Sequence, residues 1–594
     1  MEVNKEEVLV LTDSLGRVRS RPLTDIVFLS AGISTNSSRA HEGLIHRDSS
    51  PPSNVSQRPY QIMKIRITHL VCVMICWCPN AHAENYDARI GNSEILTPKA
   101  AVAPRINGAV IYGARPGKQF VYRIPTQGER PIQFEVGDLP AGLTLDAAKG
   151  IITGVTPVKK GEYAMTVTAK NSHGEARRPF KLVVGDKLAL TPPCGWNSWG
   201  GYMMMVSDQV LRKTADLLVN KGLADVGFQY VSLDDCWMRI SPEKYAARDA
   251  ASKKKHEGFD YSGMIGEERD ARGNILPNRK FPDMKAMTDY IHSYGLKTGI
   301  YNSPGVCTCQ SFAGSFGHEA QDAEQYARWG FDLLKYDQCS GGKLLSELKK
   351  SKPGFKTSDF WKPMADALQA QDRDILFNLC QYGQDNPWTW APDLGIQSWR
   401  TGGDLNHGVG TYFKQALRLA TELRDYSKPG QWNDPDFMYI HKIRDHKHMV
   451  APTVEIPLNT NQRYQYVTLW SMICAPFIFS CDMDAIDEFT IRLLANADVV
   501  GINQDELGQV AKVVRQTDGE VVMVKSLADG SRAVALFNLN ADNDVDIKLD
   551  ADWLGAEAPG VVFDAWRQRA VTHLKSGDTV RLSPNGIALF IVKK

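Results

Sequence analysis

At 594 residues the chain is too long for one hydrophobic core, and length alone predicts about three or four domains. It is 43% hydrophobic and 23% charged, and its 69 Lys and Arg against 68 Asp and Glu leave no basic surplus for nucleic acid or an anionic membrane surface. The same balance argues against a polyanionic substrate. Thirteen Trp and twenty Tyr suit an uncharged sugar, whose apolar ring face stacks on aromatics, although core packing uses the same residues.

Residues 1–62 are polar, rich in Ser, Arg and Pro and without a sustained period, and are expected to be disordered or not part of the native protein. Met63 opens a different pattern: Lys64 and Arg66, the apolar run Leu70 to Trp77, then Ala81, His82 and Ala83. A basic start, a short apolar segment and a small-x-small end predict a secretory signal peptide over 63–83, with Met63 as the start, cleavage after Ala83 and export to the periplasm or medium. The apolar run is too short to span a bilayer, so no stable membrane span is expected in the mature chain. Cys72, Cys76 and Cys78 would leave with that peptide, and the other eight cysteines are too sparse for a disulfide scaffold. Cys307, Cys309 and Cys339 can be read as metal ligands, but no His or Cys completes a four-ligand spacing. No metal and no cofactor is expected.

Residues 84–186 read as a small Ig-like β-sandwich. Tyr163, Met165, Val167 and Ala169 alternate with Ala164, Thr166 and Thr168, and turn signals fall at Asp146 to Gly150 and Asn171 to Gly174. The phrase LPAGLTLDAAKGIITGVT resembles the Ig-like domain fused to many bacterial surface and secreted enzymes. A spacer role is preferred here to a carbohydrate-binding one.

Across 187–504 short apolar strands alternate with helix-length segments. The strand ends, in order, are GWNSW (195–199), YVSLDDCW (230–237), KTGIYN (297–302), FDLLKYDQC (331–339), ILFNLCQYG (375–383), IQSWRTGGD (396–404), QWNDPDF (431–437) and PFIFSCD (476–482). About eight strand–helix units over some three hundred residues match a (β/α)8 TIM barrel, an α/β fold whose strand carboxyl ends share one mouth. Ser207 to Lys221 reads as a helix opening on a serine cap, and Asp322 to Trp329 as another. From 505 to 594 alternation returns, with Asp529-Gly530 as a hairpin signal, predicting a C-terminal antiparallel β-sandwich.

Acidic and aromatic residues gather at these strand ends without phosphate-binding glycines, a distribution that fits glycoside hydrolysis. That reaction needs one carboxylate to attack or to activate water, and a carboxylic acid to protonate the leaving oxygen. The ordered set GWNSW, LDDCW, GIY, LLKYDQC, WRTGGD, WNDPD and VVGINQDELG resembles glycoside hydrolase family 27, the α-galactosidase and α-N-acetylgalactosaminidase family, from Pro192 to the C-terminus.

The resemblance implies Asp337 as nucleophile and Asp404 as general acid and base, with retention through a covalent glycosyl-enzyme. Lys335 and Arg400 are expected to keep Asp337 ionised, and Asp404 to stay protonated near neutral pH. It implies further that Asp234 and Asp235 accept from the sugar 4- and 6-hydroxyls, that Trp196 packs on the sugar, and that Tyr301, Lys335 and Asp436 complete a polar ring. Cys309 and Cys339 match a family disulfide beside the pocket. Where many relatives carry a glutamate reading the 2-hydroxyl, this chain has Gln381; Cys236 lacks its usual partner and is expected as a free thiol; Phe437 stands where many have methionine. The implied activity is an exo-α-galactosidase acting on α-galactoside oligosaccharides or galactomannan. The alternatives are an α-N-acetylgalactosaminidase, a β-L-arabinopyranosidase, or an inactive carbohydrate-binding surface protein.

Overall fold

Runs such as Lys297–Asn302, Leu333–Asp337 and Leu376–Cys380 are buried along their whole length. Only a parallel sheet covered on both faces accommodates strands of that kind. In the computed structural model, which describes residues 10–12, 18–20, 85–405, 411–557 and 559–593, these runs lie side by side. The signal peptide expected at 63–83 lies outside the described residues, as does 1–62 apart from an antiparallel pair, Val10–Thr12 against Val18–Ser20.

The parallel sheet runs Cys194–Asn197, Tyr230–Ser232, Lys297–Asn302, Leu333–Asp337, Leu376–Cys380, Ser398–Arg400 and Trp432–Asp434 in both chain order and spatial order. Closure comes from the seventh stave, which is broken in two. Trp432–Asp434 pairs with the sixth strand, while Met438–Tyr439 pairs with the eighth, Phe477–Ser480, which returns to the first. The break contains Asp436 at φ 135°, a backbone conformation costly for a residue with a side chain.

The period of two sorts the strand residues. On the fourth strand Leu334 and Tyr336 face the helices, where Tyr336 meets Trp361 and Phe377 edge-on at 5.8 and 5.7 Å. Lys335 and Asp337 therefore point the other way, into the barrel. Ser207 caps the helix Asp208–Asn220 by accepting from the Val210 N–H at 3.3 Å, and Gly330 ends Glu319–Trp329 at φ 95°, where glycine carries no steric penalty.

The Ig-like sandwich pairs a three-stranded sheet (Gln119–Arg123, Ile151–Val155, Leu143–Asp146) with a four-stranded one (Ile111–Ala114, Gly174–Val184, Gly161–Asn171, Gln133–Gly137). It is not a detached spacer. Lys297, at the amino end of the third barrel strand and 4% exposed, donates to the Val121 carbonyl and lies over the Tyr112 and Phe120 rings of the sandwich. Arg115 pairs with Asp374, and Lys118 Nζ donates to the Gln371 carbonyl at 2.7 Å. The domain thus seats on the barrel face opposite the strand carboxyl ends.

The C-terminal sandwich has a six-stranded antiparallel sheet from Lys512–Gln516 to Arg569–Ala570 and a second sheet of Val545–Lys548, Thr579–Leu582 and Asn85–Asp87. That last strand corrects the expected boundary of the Ig-like domain at 84: Asn85–Asp87 pairs in parallel with Thr579–Leu582, in a sheet of the C-terminal sandwich. Three residues carry too little pattern to show which sheet they will join. Among the described residues no helix is long and apolar enough to cross a membrane.

Candidate active site

Asp337 ends the fourth strand and is 6% exposed. Both of its carboxylate oxygens are held by phenols: Tyr301 donates to Oδ2 at 3.2 Å and Tyr382 to Oδ1 at 2.7 Å. Tyr301 comes from the adjacent third strand, where it lies in register with Lys335. Tyr382 sits two residues beyond the fifth strand at φ 61°, a left-handed turn that brings its ring back over the mouth.

Beside it, Lys335 Nζ donates to Asp234 Oδ2 at 2.8 Å, and Asn197 Nδ2 donates to the same oxygen at 2.9 Å. The ammonium also lies 4.5 Å from the Phe437 ring and 5.1 Å from Tyr301, so an aromatic sleeve fixes its direction. Asp235 accepts from the Cys236 N–H at 2.7 Å and the Gln310 N–H at 3.0 Å. Burial nevertheless pushes its carboxyl up to about 7, with the neighbouring Asp234 charge adding to the effect.

Arg400, last residue of the sixth strand, joins two acids. It donates to Asp404 Oδ1 at 3.0 Å and pairs with Asp436 Oδ1 at 3.1 Å. Asp436 is further fixed by the Leu405 N–H at 2.8 Å, and burial pushes it up to about 7 despite the guanidinium. The two acids differ in exposure. The Asp404 side chain is 43% exposed and that of Asp436 only 1%.

The pKa shifts of both catalytic candidates run in the direction opposite to the charge logic drawn from the sequence. Burial raises Asp337 above the usual carboxylate range, and Lys335 and the Tyr382 hydroxyl only partly offset it, because Lys335 is engaged by Asp234 and Arg400 by Asp404 and Asp436. At Asp404 burial acts upward too, but Arg400 outweighs it and holds the carboxyl below its ordinary range. Residue types predicted which charges would meet; the pairing decided who neutralises whom.

Trp196 is placed differently from its expected role on the sugar. It has no exposed surface, its indole N–H donates to the Cys481 carbonyl at 3.1 Å, and it packs in the barrel core. Gln381 is 1% exposed, its Nε2 donates to the Gln384 carbonyl, and its Oε1 has no hydrogen-bond partner among the described residues. Cys309 and Cys339 form a disulfide whose Cys339 sulfur lies 3.0 Å from the Tyr301 hydroxyl. Cys309, Asp337 and Cys339 lie close enough together to suggest a metal cluster, but the disulfide removes two of those ligands. Cys236 is a buried free thiol against the Met204 sulfur at 3.1 Å.

The family model for α-galactosidase A matches residues 191–261 and 254–505, the model for the α-galactosidase C-terminal β-sandwich domain matches 517–592, and an Ig domain model matches 103–185. The chain belongs to glycoside hydrolase family 27, the α-galactosidase family. It is 34% identical over 374 residues to an α-galactosidase of Cyamopsis tetragonoloba, covering 62% of this chain and 77% of the relative. α-Galactosidase A of Cellvibrio japonicus is 33% identical over 378 residues, covering 61% and 80%. Among solved structures, a candidate α-galactosidase/melibiase of Bacteroides fragilis superposes with TM-score 0.71 at 32% identity, covering 84% of this chain and all of that one. α-Galactosidase I of Mortierella vinacea gives 0.56 at 25%, covering 69% and 98%.

In this family 27 chain the sequence reading missed Tyr382. The signal was present, since CQYG places a tyrosine just past a strand end. Only the turn, however, shows that its hydroxyl reaches Asp337 rather than solvent. The Arg400 guanidinium, 5.7 Å from the Tyr382 ring, places this tyrosine between the two acids.

Proposed function

We propose that this family 27 enzyme is a retaining exo-α-galactosidase that removes terminal α-D-galactosyl residues from oligosaccharides or galactomannan. The observation that carries the reading is the convergence at one mouth of Asp337, with a phenol on each oxygen, Asp404 on Arg400, and Asp234 clamped by Lys335. Asp337 attacks the anomeric carbon as the bond to the leaving oxygen breaks, and Asp404 delivers the proton to that oxygen. Water deprotonated by Asp404 then releases galactose from the covalent intermediate with retention. A substrate oxygen approaching Asp404 draws it from Arg400 and lets it carry the proton.

Two aspartates at the second strand end suit the axial 4-hydroxyl and the primary 6-hydroxyl of galactose, since each carboxylate oxygen accepts two donors. Their retention speaks against a β-L-arabinopyranosidase, whose sugar lacks the hydroxymethyl group. Gln381, buried and tied to the Gln384 carbonyl, fills the space an acetamido group would need, which speaks against an α-N-acetylgalactosaminidase. Turnover of nitrophenyl α-galactoside, α-N-acetylgalactosaminide and β-L-arabinopyranoside tests all three. A preference for either of the latter two overturns the proposal, and galactose binding with no turnover revives the binding-protein alternative. We place the enzyme outside the cytoplasm on the segment beginning at Met63, with cleavage after Ala83; protein retained in the cytoplasm would reject the location, and an exported protein whose N-terminus does not follow Ala83 would reject the cleavage site.

A further inference from the structure

Asp234 and Asp235 stand side by side at the second strand end but are held by different means. Asp234 is bonded to the Lys335 ammonium and the Asn197 amide, whereas Asp235 is held by two backbone N–H groups, its own neighbour Cys236 on Oδ1 and Gln310 on Oδ2. Gln310 sits at the tip of a turn in the third strand-to-helix connection, closed by the Thr308 N–H donating to the Phe312 carbonyl at 2.9 Å. One side of that tip is tied to the fourth connection by the Cys309–Cys339 disulfide. The other is tied to the second connection, where His256 Nε2 lies 3.0 Å from Gln310 Oε1.

His256 is 4% exposed and directly follows the short helix Ala250–Lys255. Its far side sets its tautomer. Arg248 Nη1 lies 2.8 Å from His256 Nδ1, and a guanidinium can only donate, so Nδ1 accepts and the ring proton sits on Nε2, aimed at the Gln310 amide oxygen. Arg248 is fixed in turn by the Tyr245 and Tyr261 rings, whose centres lie 4.5 and 4.3 Å from its guanidinium carbon. Burial, with the Arg248 charge adding to it, lowers the His256 pKa to about 4, so the ring is neutral and this tautomer persists at higher pH.

We infer that His256 is a positioning residue for galactose recognition: through the Gln310 amide it fixes the backbone N–H that aims Asp235 at the sugar hydroxyl this carboxylate reads. The inference rests on the α-galactosidase reading and adds to it the group that sets one half of the hydroxyl clamp. Asp234 carries its own cation and does not need such a support. Asp235 is only as well placed as the loop tip beside it, and a misplacement of about 1 Å originating far from the chemistry can cost a site on the order of 100-fold.

The test measures kcat/KM for nitrophenyl α-galactoside and for its 4-deoxy and 6-deoxy analogues in wild type, His256→Phe, His256→Gln and Gln310→Leu. On the parent galactoside His256→Phe and Gln310→Leu each lower kcat/KM about five- to tenfold, as loss of one neutral hydrogen bond does. That loss disappears with the analogue lacking the hydroxyl that Asp235 reads, because the displaced carboxylate then has nothing to hold. His256→Gln, which can present an amide N–H to Gln310 and an amide oxygen to Arg248, stays within about twofold of wild type. The same loss on all three substrates, no loss on the parent, or a His256→Gln enzyme as impaired as His256→Phe overturns the inference while leaving the α-galactosidase reading standing. Should His256→Phe fail to fold, Gln310→Leu, at the half-buried loop tip, decides by the same comparison. A wild-type enzyme that cleaves no α-galactoside overturns that reading instead.

Discussion

Replacing Tyr382 with phenylalanine removes one hydroxyl and little else, and it acts on the group whose ionisation starts the reaction. The Tyr382 hydroxyl is 2.7 Å from Asp337 Oδ1, a short bond to a carboxylate, whereas the remaining donor, Tyr301, is at 3.2 Å. A hydrogen bond to a charged group contributes about 1.5–3 kcal/mol. At 1.36 kcal/mol per pKa unit, its loss raises the Asp337 pKa by roughly one to two units beyond the rise that burial already causes. With dinitrophenyl α-galactoside, whose leaving group needs no proton, kcat/KM follows the ionised fraction of Asp337 alone. On the acid limb Tyr382→Phe then falls about 10- to 100-fold below wild type and recovers as pH rises, the limb itself moving up by one to two units. The assay is the pH profile of kcat/KM over pH 3–9. An unshifted limb, or the same loss at every pH, would refute the claim that Tyr382 acts by stabilising the charged carboxylate.

Asp337→Asn is expected to abolish turnover on every substrate, with azide yielding a β-galactosyl azide; undiminished hydrolysis would remove Asp337 from the nucleophile role. Asp404→Ala is expected to spare substrates with good leaving groups far more than natural linkages, and equal losses on both would argue against an acid role. Asp235 and Asp436, both near 7 against an ordinary 3.8, hold protons in the folded site that the unfolded chain has shed, so their contribution to stability declines as pH rises from about 4 through 7. Sugar hydroxyls donating to these carboxylates favour the charged form. Galactose binding near pH 6.5 therefore releases protons, measurable by calorimetry in buffers of different ionisation enthalpy, and proton uptake would contradict the assigned contacts.

The eight strand ends were readable because a parallel strand buried on both faces has no polar residue until it emerges, so the point where chemistry begins marks the mouth. The same logic singled out Asp337, whereas Asp404, Asp234 and Arg400 were named through the resemblance to the family's motifs. Tyr382 escaped it because its hydroxyl reaches Asp337 only through a left-handed turn, and turns carry no periodicity. Trp196 misled for the opposite reason: it stands one residue before the end of its strand, where the alternation sends it into the core.

By itself the order of residues determined the barrel, the two sandwiches and the inventory of carboxylates at the strand ends, since apolar patterning is a local property written along the chain. It did not determine which way each carboxyl group is shifted. Asp337 is raised by burial, which Lys335, bonded to Asp234, only partly offsets, and Asp404 is lowered because Arg400 reaches it, and both depend on which staves stand side by side. The seat of the Ig-like domain beneath the barrel and the strand lent by Asn85–Asp87 to the last domain were likewise tertiary outcomes. Their partners lie far away along the chain, and no local pattern carries that distance.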